Sequence, residues 1–239
     1  MKALKNIITV LLIFSAVLVF SACDKAEITL PANSDAPSGD KIESIYSQID
    51  ALDTSKYSEG GFSEVIIGED FDFSKLPDTV RVDVKNYGSF YIKLCPDIAP
   101  ETVNNFKKNV LSGFYDGLVF HRVIKDFMIE GGEQDVDGVI HDSEMIYGEF
   151  TDNNFTNNLS HKRGVIAMSR KNIPDSASSG FFIVTKDAPA LDTRYATFGY
   201  IAAGMDIVDR IENAETGAND SPCEPIVIEK IQFMIMIGE

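Results

Sequence analysis

The stretch "FHRVIKDFMIEGG", residues 120–132, combines a histidine, an arginine and an acid with an apolar Phe-Met-Ile core. Arg122 stays charged at physiological pH and donates hydrogen bonds without accepting any. Together with the apolar residues Phe127, Met128, Phe181, Phe182 and Leu191, it would form a site with one permanent donor and an apolar slot, without a nucleophile or a titrating base. Such a site suits a reaction that makes no covalent bond.

Metal, nucleophilic and phosphate chemistry have little support in this sequence. His121, His141 and His161 are widely spread, without paired cysteines or a helical His-x-x-x-His spacing, so we expect no zinc site. The segment "SASSGFF" lacks the nucleophile-elbow pattern, and "EGGEQDVDG" lacks the lysine of a phosphate loop, so its glycines are interpreted as loop residues. We therefore expect neither a metal nor a cofactor.

Composition restricts the partners. The chain has 37 acids against 21 bases, a formal net charge of -16, which repels phosphate backbones. Nucleic acid is thus not expected as a partner. With 239 residues and 44% hydrophobic content, the chain can bury one sizeable core. One main domain with appendages is the expectation.

The N-terminus resembles a secretory signal. Two lysines precede an almost wholly apolar run at residues 7–20, and the following "VFSAC" is similar to the cleavage box of bacterial lipoproteins. Residues 1–22 are predicted to be the signal peptide. Cys23 is predicted to be the lipid-modified residue that anchors the protein on the outer side of the cell membrane. Ordinary secretion, with Cys23 unmodified, is the alternative. Residues 23–40 are small, polar and acidic, which predicts a flexible tether.

Two further cysteines, Cys95 and Cys223, would be in a compartment that permits disulfides. One bridge between them is an open alternative. The sequence analysis favours two buried free thiols.

Hydrophobic periodicity predicts the elements that position these residues. Residues 41–78 form an extension of unassigned role, in which Ile42, Ile45, Ile49 and Leu52 have the spacing of a short helix. From Thr79 onward, alternation on both sides of an Asn-Tyr-Gly turn predicts a β-hairpin.

After the hairpin, Pro100 begins an amphipathic helix that stops at Gly113, and a second helix is predicted over residues 205–212. Short apolar segments punctuated by glycine, asparagine and aspartate predict the other strands, at residues 119–124, 127–129, 165–168, 181–184, 196–200 and 226–237. The expected fold is mainly β: a closed β-barrel with the two helices over its open ends.

Three blocks carry a family resemblance: "FHRVIKDFMIEGG", "RGVIAMSRKNIPDSASSGFFIV" and "LDTRYATFGYIAAGMDIVDRI". In this order and spacing they resemble the cyclophilin family of peptidyl-prolyl cis-trans isomerases, here in a bacterial lipoprotein form. The resemblance covers residues 79–239. It implies the fold of the family, a closed eight-stranded antiparallel β-barrel capped by two α-helices, which agrees with the barrel expected from the pattern. It also implies an activity that rotates Xaa-Pro peptide bonds.

The resemblance also implies roles for individual residues. Arg122 would be the catalytic donor to the prolyl nitrogen. The implied substrate-binding positions are His121, Phe127, Met128, Glu130, Ser169, Gly180, Phe182, Leu191 and Tyr195.

This sequence departs from the family pattern at three positions. Glu130 stands where the family has a glutamine that orients the arginine, so its carboxylate could hold the guanidinium but also compete for its donors. Gly180 replaces a glutamine that binds the substrate backbone, and Ala190 replaces a tryptophan that many members use against cyclosporin. The departures at Glu130 and Gly180 together predict a slower enzyme, whereas Ala190 bears on drug binding more than on activity.

Three functional hypotheses follow. The leading one is a monomeric, membrane-anchored isomerase that assists the folding of exported, proline-containing polypeptides. The second is a binding module whose groove holds proline-containing segments without useful catalysis. A surface scaffold that uses its acidic face is the third, and it predicts binding that does not depend on proline.

Overall fold

The computed structural model describes residues 36–59 and 72–237. Within them the chain is mainly β. Its helices are α1 Gly39–Ser47, α2 Pro100–Leu111 and α3 Met205–Glu212. Its strands are β1 Tyr57–Glu59, β2 Thr79–Val84, β3 Gly88–Leu94, β4 Val119–Ile124, β5 Met128–Gln134, β6 Val165–Met168, β7 Phe181–Val184, β8 Thr197–Ala203 and β9 Ile226–Met236.

The strands form one nine-stranded sheet in the order β1-β9-β2-β3-β8-β6-β7-β5-β4. Strand β4 also pairs with β9, at Val119–Val227 and Phe120–Ile226. The mainly β prediction is confirmed. The described residues contain nine strands and three helices, of which β1 and α1 come from the extension and the other eight strands and two helices lie within residues 79–237. Closure into a barrel stays a prediction.

The β2–β3 hairpin shows why the alternating pattern is reliable. Val80, Val82 and Val84 are buried, and the residues between them are half-buried. The register pairs Val82 with Phe90 on the same face, as expected when one face of an antiparallel pair covers a core. Gly88, at the start of β3, has a φ of 113°, which an L-residue rarely adopts.

Helix α2 depends on a residue distant in sequence. Its N-terminal residue Pro100 is preceded by Ala99, which offers no side-chain cap. The carboxylate of Glu149 instead accepts the backbone N–H groups of Glu101 and Thr102, at 3.0 and 2.7 Å. These groups have no partner within a helix, so the buried carboxylate supplies the missing acceptors and suits the positive end of the helix dipole.

The extension packs on the outside of the sheet. Ile42 and Ile45 of α1 are buried in a cluster with residues such as Ile98 and Val165. Helix α1 begins at Gly39, two residues before the end of the predicted tether, and it ends at Ser47, before Ile49. Ile42 and Ile45 of the extension thus pack with residues of the folded domain.

Asp50 connects the same extension to α3. Its carboxylate accepts the backbone N–H of Met205, the first residue of α3, at 3.2 Å. Its own N–H donates to the carbonyl of Ile201 in β8 at 2.9 Å. Strand β1 pairs with the end of β9, with Tyr57 opposite Met236.

Several predictions fall on residues outside the described ranges. The signal at residues 1–22, the lipidation site Cys23 and most of the tether are among them. Within the described part, no helix is long and apolar enough to cross a membrane. Cys95 and Cys223 are both free, as expected. Cys223 is exposed, however, so the prediction that both thiols are buried is wrong for this residue.

Candidate functional site

The site lies on neighbouring strands of the sheet. Arg122 of β4 stands opposite Glu130 of β5 in the strand register. On the next strand, β7, Phe182 is the partner of Glu130. The pairing thus brings the arginine, the acid and the aromatic ring into one row across the sheet.

An apolar cluster forms one side of the site. Met128, Ala167, Phe182, Val184 and Ala188 are buried together. The half-buried residues that pack against this cluster are Ile124, Phe127, Leu191 and Tyr195.

These residues surround a pocket of about 180 Å³. It is lined by Arg122, Phe127, Met128, Glu130, Ser169, Arg170, Phe182, Leu191 and Tyr195. Eight of the predicted site residues therefore converge on one cavity, and His121 and Gly180 lie outside its lining. The pocket combines an apolar wall with two guanidinium groups, those of Arg122 and Arg170.

Arg122 is held by two carboxylates. Its Nη1 lies 3.3 Å from Oε2 of Glu130, and its Nε lies 3.4 Å from Oδ2 of Asp220. The other oxygen of Glu130, Oε1, accepts a hydrogen bond from the hydroxyl of Ser169. A guanidinium donates from Nε, Nη1 and Nη2, and the described residues accept only from the first two. Nη2 is therefore still available to a ligand.

Arg170 and Asp220 are site residues that the sequence analysis missed. The Arg170 guanidinium lies 4.9 Å from the ring centre of Tyr195 and 5.0 Å from that of Phe150, within cation–π range. Its position next to Ser169 in the second sequence block was a usable signal. Asp220 is 98 residues from Arg122 and outside the three blocks, so no local pattern pointed to it.

A histidine supports the apolar wall from behind. The ring of His161 stacks on Phe182 at 5.9 Å between centroids and meets Tyr195 edge-on. Its Nδ1 lies 2.9 Å from Oδ1 of Asp192. Burial lowers the pKa of His161, and the hydrogen bond that its Nδ1–H donates to Asp192 opposes this shift. The neutral imidazole is therefore favoured behind the wall.

His121 faces another carboxylate instead of the pocket. Its Nε2 is 3.5 Å from Oε1 of Glu133, and its Nδ1 is buried without a hydrogen-bond partner among the described residues. Burial lowers the pKa of His121, although the charge of Glu130 opposes this effect.

The glycines of "EGGEQDVDG" are not all loop residues, as the sequence analysis had expected. Gly131 and Gly132 lie within β5, where the pairing with β4 is irregular. Gly132 has a φ of 85°, and a Cβ there would lie 2.7 Å from the ring of Phe181. Only glycine fits this position without strain.

Comparison with known proteins gives a consistent result. A family model described as cyclophilin type peptidyl-prolyl cis-trans isomerase/CLD matches residues 79–233. A peptidyl-prolyl cis-trans isomerase of Acinetobacter baylyi is 37% identical over 167 residues, covering 66% of this chain and 87% of that protein. Peptidyl-prolyl cis-trans isomerase 9 of Schizosaccharomyces pombe is 38% identical over 147 residues, covering 62% of this chain. The chain spans only 24% of the length of that yeast relative.

Among solved structures, a cyclophilin type isomerase of Cryptosporidium parvum, determined in the presence of the dipeptide Ala-Pro, is similar with a TM-score of 0.52. It is 28% identical, and the match covers 65% of this chain and 98% of that one. The family model alone spans well over half of the present chain. The chain therefore belongs to the cyclophilin-type peptidyl-prolyl cis-trans isomerase family.

Proposed function

We propose that this protein catalyses cis-trans isomerisation of Xaa-Pro peptide bonds in exported polypeptides, as a lipid-anchored monomer on the outer side of the cell membrane. The observation that supports the catalytic part of this proposal is the pocket of about 180 Å³ in which Arg122 lies beside an apolar wall. The Ala-Pro dipeptide used with the Cryptosporidium parvum relative supports proline-containing peptides as the ligand class.

The reaction needs a donor more than it needs a base. Rotation about an Xaa-Pro bond is slow, over tens to hundreds of seconds, because it breaks amide conjugation. In the twisted transition state the prolyl nitrogen regains a lone pair that the planar ground state does not offer. A guanidinium aimed at that nitrogen stabilises the transition state selectively, and this lowers the barrier.

Each side of the pocket has a separate task in this mechanism. Met128, Phe182 and Leu191 would hold the proline ring by apolar contact. Arg122 would donate from Nη2, the nitrogen without a described acceptor, while Glu130 and Asp220 keep the guanidinium in place. No bond is formed with the protein and no proton is transferred, so the chemistry requires no cofactor.

The two carboxylates that contact Arg122 favour a second candidate function. In it the protein is a module that binds proline-containing segments with little catalysis. Glu130 and Asp220 reduce the positive charge that Arg122 can offer to the prolyl nitrogen. The same apolar wall would still bind a proline ring, so binding would survive where turnover is weak.

A rate measurement separates the two candidates. The full chain is assayed for acceleration of cis-to-trans exchange on a set of Xaa-Pro peptides, and for their affinity by calorimetry. The proposal expects acceleration together with binding. Proline-dependent binding without acceleration would replace the enzyme by the binding module, and binding that persists in proline-to-alanine peptides would contradict both.

The location is supported by the lipoprotein-like residues 1–23, which lie outside the described part of the structure. Two or more acyl chains hold a protein stably on a bilayer, whereas one does so only marginally. Intact mass of the mature protein should show a diacylglyceryl group on Cys23. An unmodified, released protein would reject the anchor and leave the catalytic proposal intact.

A further inference from the structure

Glu133 occupies the space beside Gly180. A Cβ atom at Gly180 would lie 2.6 Å from Oε2 of Glu133 and 3.1 Å from Cβ of Ser169, which lines the pocket. The carboxylate thus lies where a side chain at position 180 would begin. Gly180 leaves that space open, and Glu133 fills it from the neighbouring strand.

A bulge in β5 accompanies this placement. The register passes from Val119–Gln134 to Phe120–Gly131, which leaves Gly132 and Glu133 without partners on β4. Bulges change the direction of a side chain and are frequent beside active sites. The irregularity therefore falls at the residue that reaches towards Gly180.

The carboxylate of Glu133 is partly buried and accepts no hydrogen bond from the described residues. Its side chain is 26% exposed, and its ion-pair partner in the described part of the chain is His121, at 3.5 Å. Burial raises the pKa of Glu133, the nearby charges of Glu130 and Asp142 add to this shift, and the charge of Lys171 opposes it. Because partial burial has removed some of the water around this carboxylate, a donor supplied by a ligand would stabilise it.

Glu130, three residues earlier on the same strand, is already satisfied. Both of its oxygens accept hydrogen bonds, one from Arg122 and one from Ser169. Glu133, beside Gly180 and Ser169, is by contrast a carboxylate that accepts no hydrogen bond from the described residues. A polypeptide bound with its proline in the pocket carries N–H groups on the residues that flank the proline.

We propose that Glu133 is a substrate-binding residue that accepts an N–H group of the polypeptide next to the bound proline, in the space left open by Gly180. The inference rests on the proposed binding of proline-containing polypeptides at the same pocket. The N–H can belong to the peptide backbone or to a basic side chain, and two peptides distinguish these sources.

The test compares KM, kcat and calorimetric affinity for the full chain and its variants. One peptide has only neutral side chains, and the other has a lysine next to the Xaa-Pro pair. Glu133→Ala should weaken affinity and raise KM about tenfold, as expected for loss of a hydrogen bond to a charged group, with kcat nearly unchanged. Glu133→Gln, which keeps an acceptor oxygen, should have a smaller effect. The control Glu144→Ala removes an exposed acid that pairs with Lys108, and it should change neither value.

The source of the N–H follows from the two peptides. An equal loss of affinity on both identifies the peptide backbone, and a loss confined to the lysine peptide identifies the ammonium group. Unchanged affinity and KM on both peptides, with folded Glu133→Ala and Glu133→Gln proteins, would overturn the inference. A fall in kcat alone would also overturn it, because it would indicate a structural role.

A double-mutant cycle with Gly180→Gln tests whether the Glu133 carboxylate and a side chain at position 180 compete for the same space. In the native background the new side chain must displace the Glu133 carboxylate, so affinity should not improve. In the Glu133→Ala background the space is free, and the glutamine should restore most of the lost affinity. Equal effects in both backgrounds would contradict the proposed exchange.

Calorimetry keeps this inference separate from the catalytic proposal. If the native protein binds the peptides without accelerating exchange, the proposed catalysis fails, while the affinities of the Glu133 variants still decide the inference. If the native protein accelerates exchange and the Glu133 variants bind as it does, only the inference fails.

Discussion

The two sides of the pocket differ in how their residues are held. On the apolar side, Met128 and Phe182 are buried within a packed cluster, and the ring of His161 stacks on that of Phe182. On the polar side, the Arg122 side chain is 42% exposed and depends on contacts with Glu130 and Asp220.

Packing determines the first side, and charge determines the second. A close-packed wall tolerates little change in volume, so its substitutions should affect stability and binding together. The polar side contributes little to stability, because partly exposed ion pairs are weak. Its substitutions should therefore change turnover while the fold survives.

The largest expected effect is on the polar side. Arg122→Ala should lower kcat/KM by about 10²–10³-fold, since it removes the donor that we propose for the transition state. Arg163→Ala is a matched control, because Arg163 is also 42% exposed and pairs with Asp209 away from the pocket. The Arg122 variant should melt within a few degrees of the native protein. An equal loss of activity in the Arg122 and Arg163 variants would contradict a specific role for Arg122 in turnover.

On the apolar side, Phe182→Ala should both raise KM, by about tenfold, and destabilise the protein by about 3 kcal/mol. Phe182 is 5% exposed, so the truncation removes buried area as well as ligand contact. Peptide kinetics and urea unfolding measure the two effects. Phe90→Ala, in the main core, should lower stability without raising KM. If Phe182→Ala raised KM without changing the free energy of unfolding, Phe182 would contact the ligand without contributing to the packing of the core.

Removing the charge of Glu130 tests how much this carboxylate weakens the Arg122 donor on the polar side. Glu130→Gln should raise kcat about two- to fivefold, because the lost ion pair has the strength of a partly exposed one. The guanidinium would then offer more of its charge to the prolyl nitrogen. Stopped-flow exchange assays on one peptide series measure this change. A tenfold loss of kcat would mean that Glu130 mainly orients Arg122.

The smallest expected effect concerns pH and the back of the apolar wall. Burial places the folded pKa of His161 below the ordinary value of 6.5. Below pH 6.5 the unfolded chain therefore binds more protons than the folded chain, and the free energy of unfolding decreases as the pH falls, by at most about 1.4 kcal/mol per pH unit. This contribution is fully present above pH 6.5 and is lost as the pH falls through the folded pKa.

Urea unfolding at several pH values checks this dependence, with His161→Gln expected to flatten the slope between pH 5 and 7 (roughly the window in which an imidazole titrates). His141→Gln, at an exposed position, is the comparison variant. An unchanged slope in His161→Gln would show that His161 is not the group responsible.

The apolar side was the more predictable of the two from sequence. Phe127, Met128, Phe182 and Leu191 fall in the three sequence blocks, and the structure places them around one pocket. Strands β4, β6 and β7 match the predicted bounds, since apolar runs between turn residues are local signals. The strand of the extension was missed because β1 has three residues and no alternation to detect.

The polar side was only partly predictable. The contact between Glu130 and Arg122 was expected from the motif, but the contact with Asp220 was not. The relation between Glu133 and Gly180 was also missed, because a bulge and a glycine become meaningful only when two strands are paired.

The sequence by itself determined the mainly β class, the family, and the apolar residues that surround the pocket. Their signals are periodic or contiguous, because burial of one strand face repeats every second residue. Tertiary structure alone decided which carboxylates hold Arg122, which histidine supports Phe182, and which acid fills the space at Gly180. Those contacts join polar side chains far apart in the chain, and their energies depend on distance and burial, which no spacing along the sequence encodes.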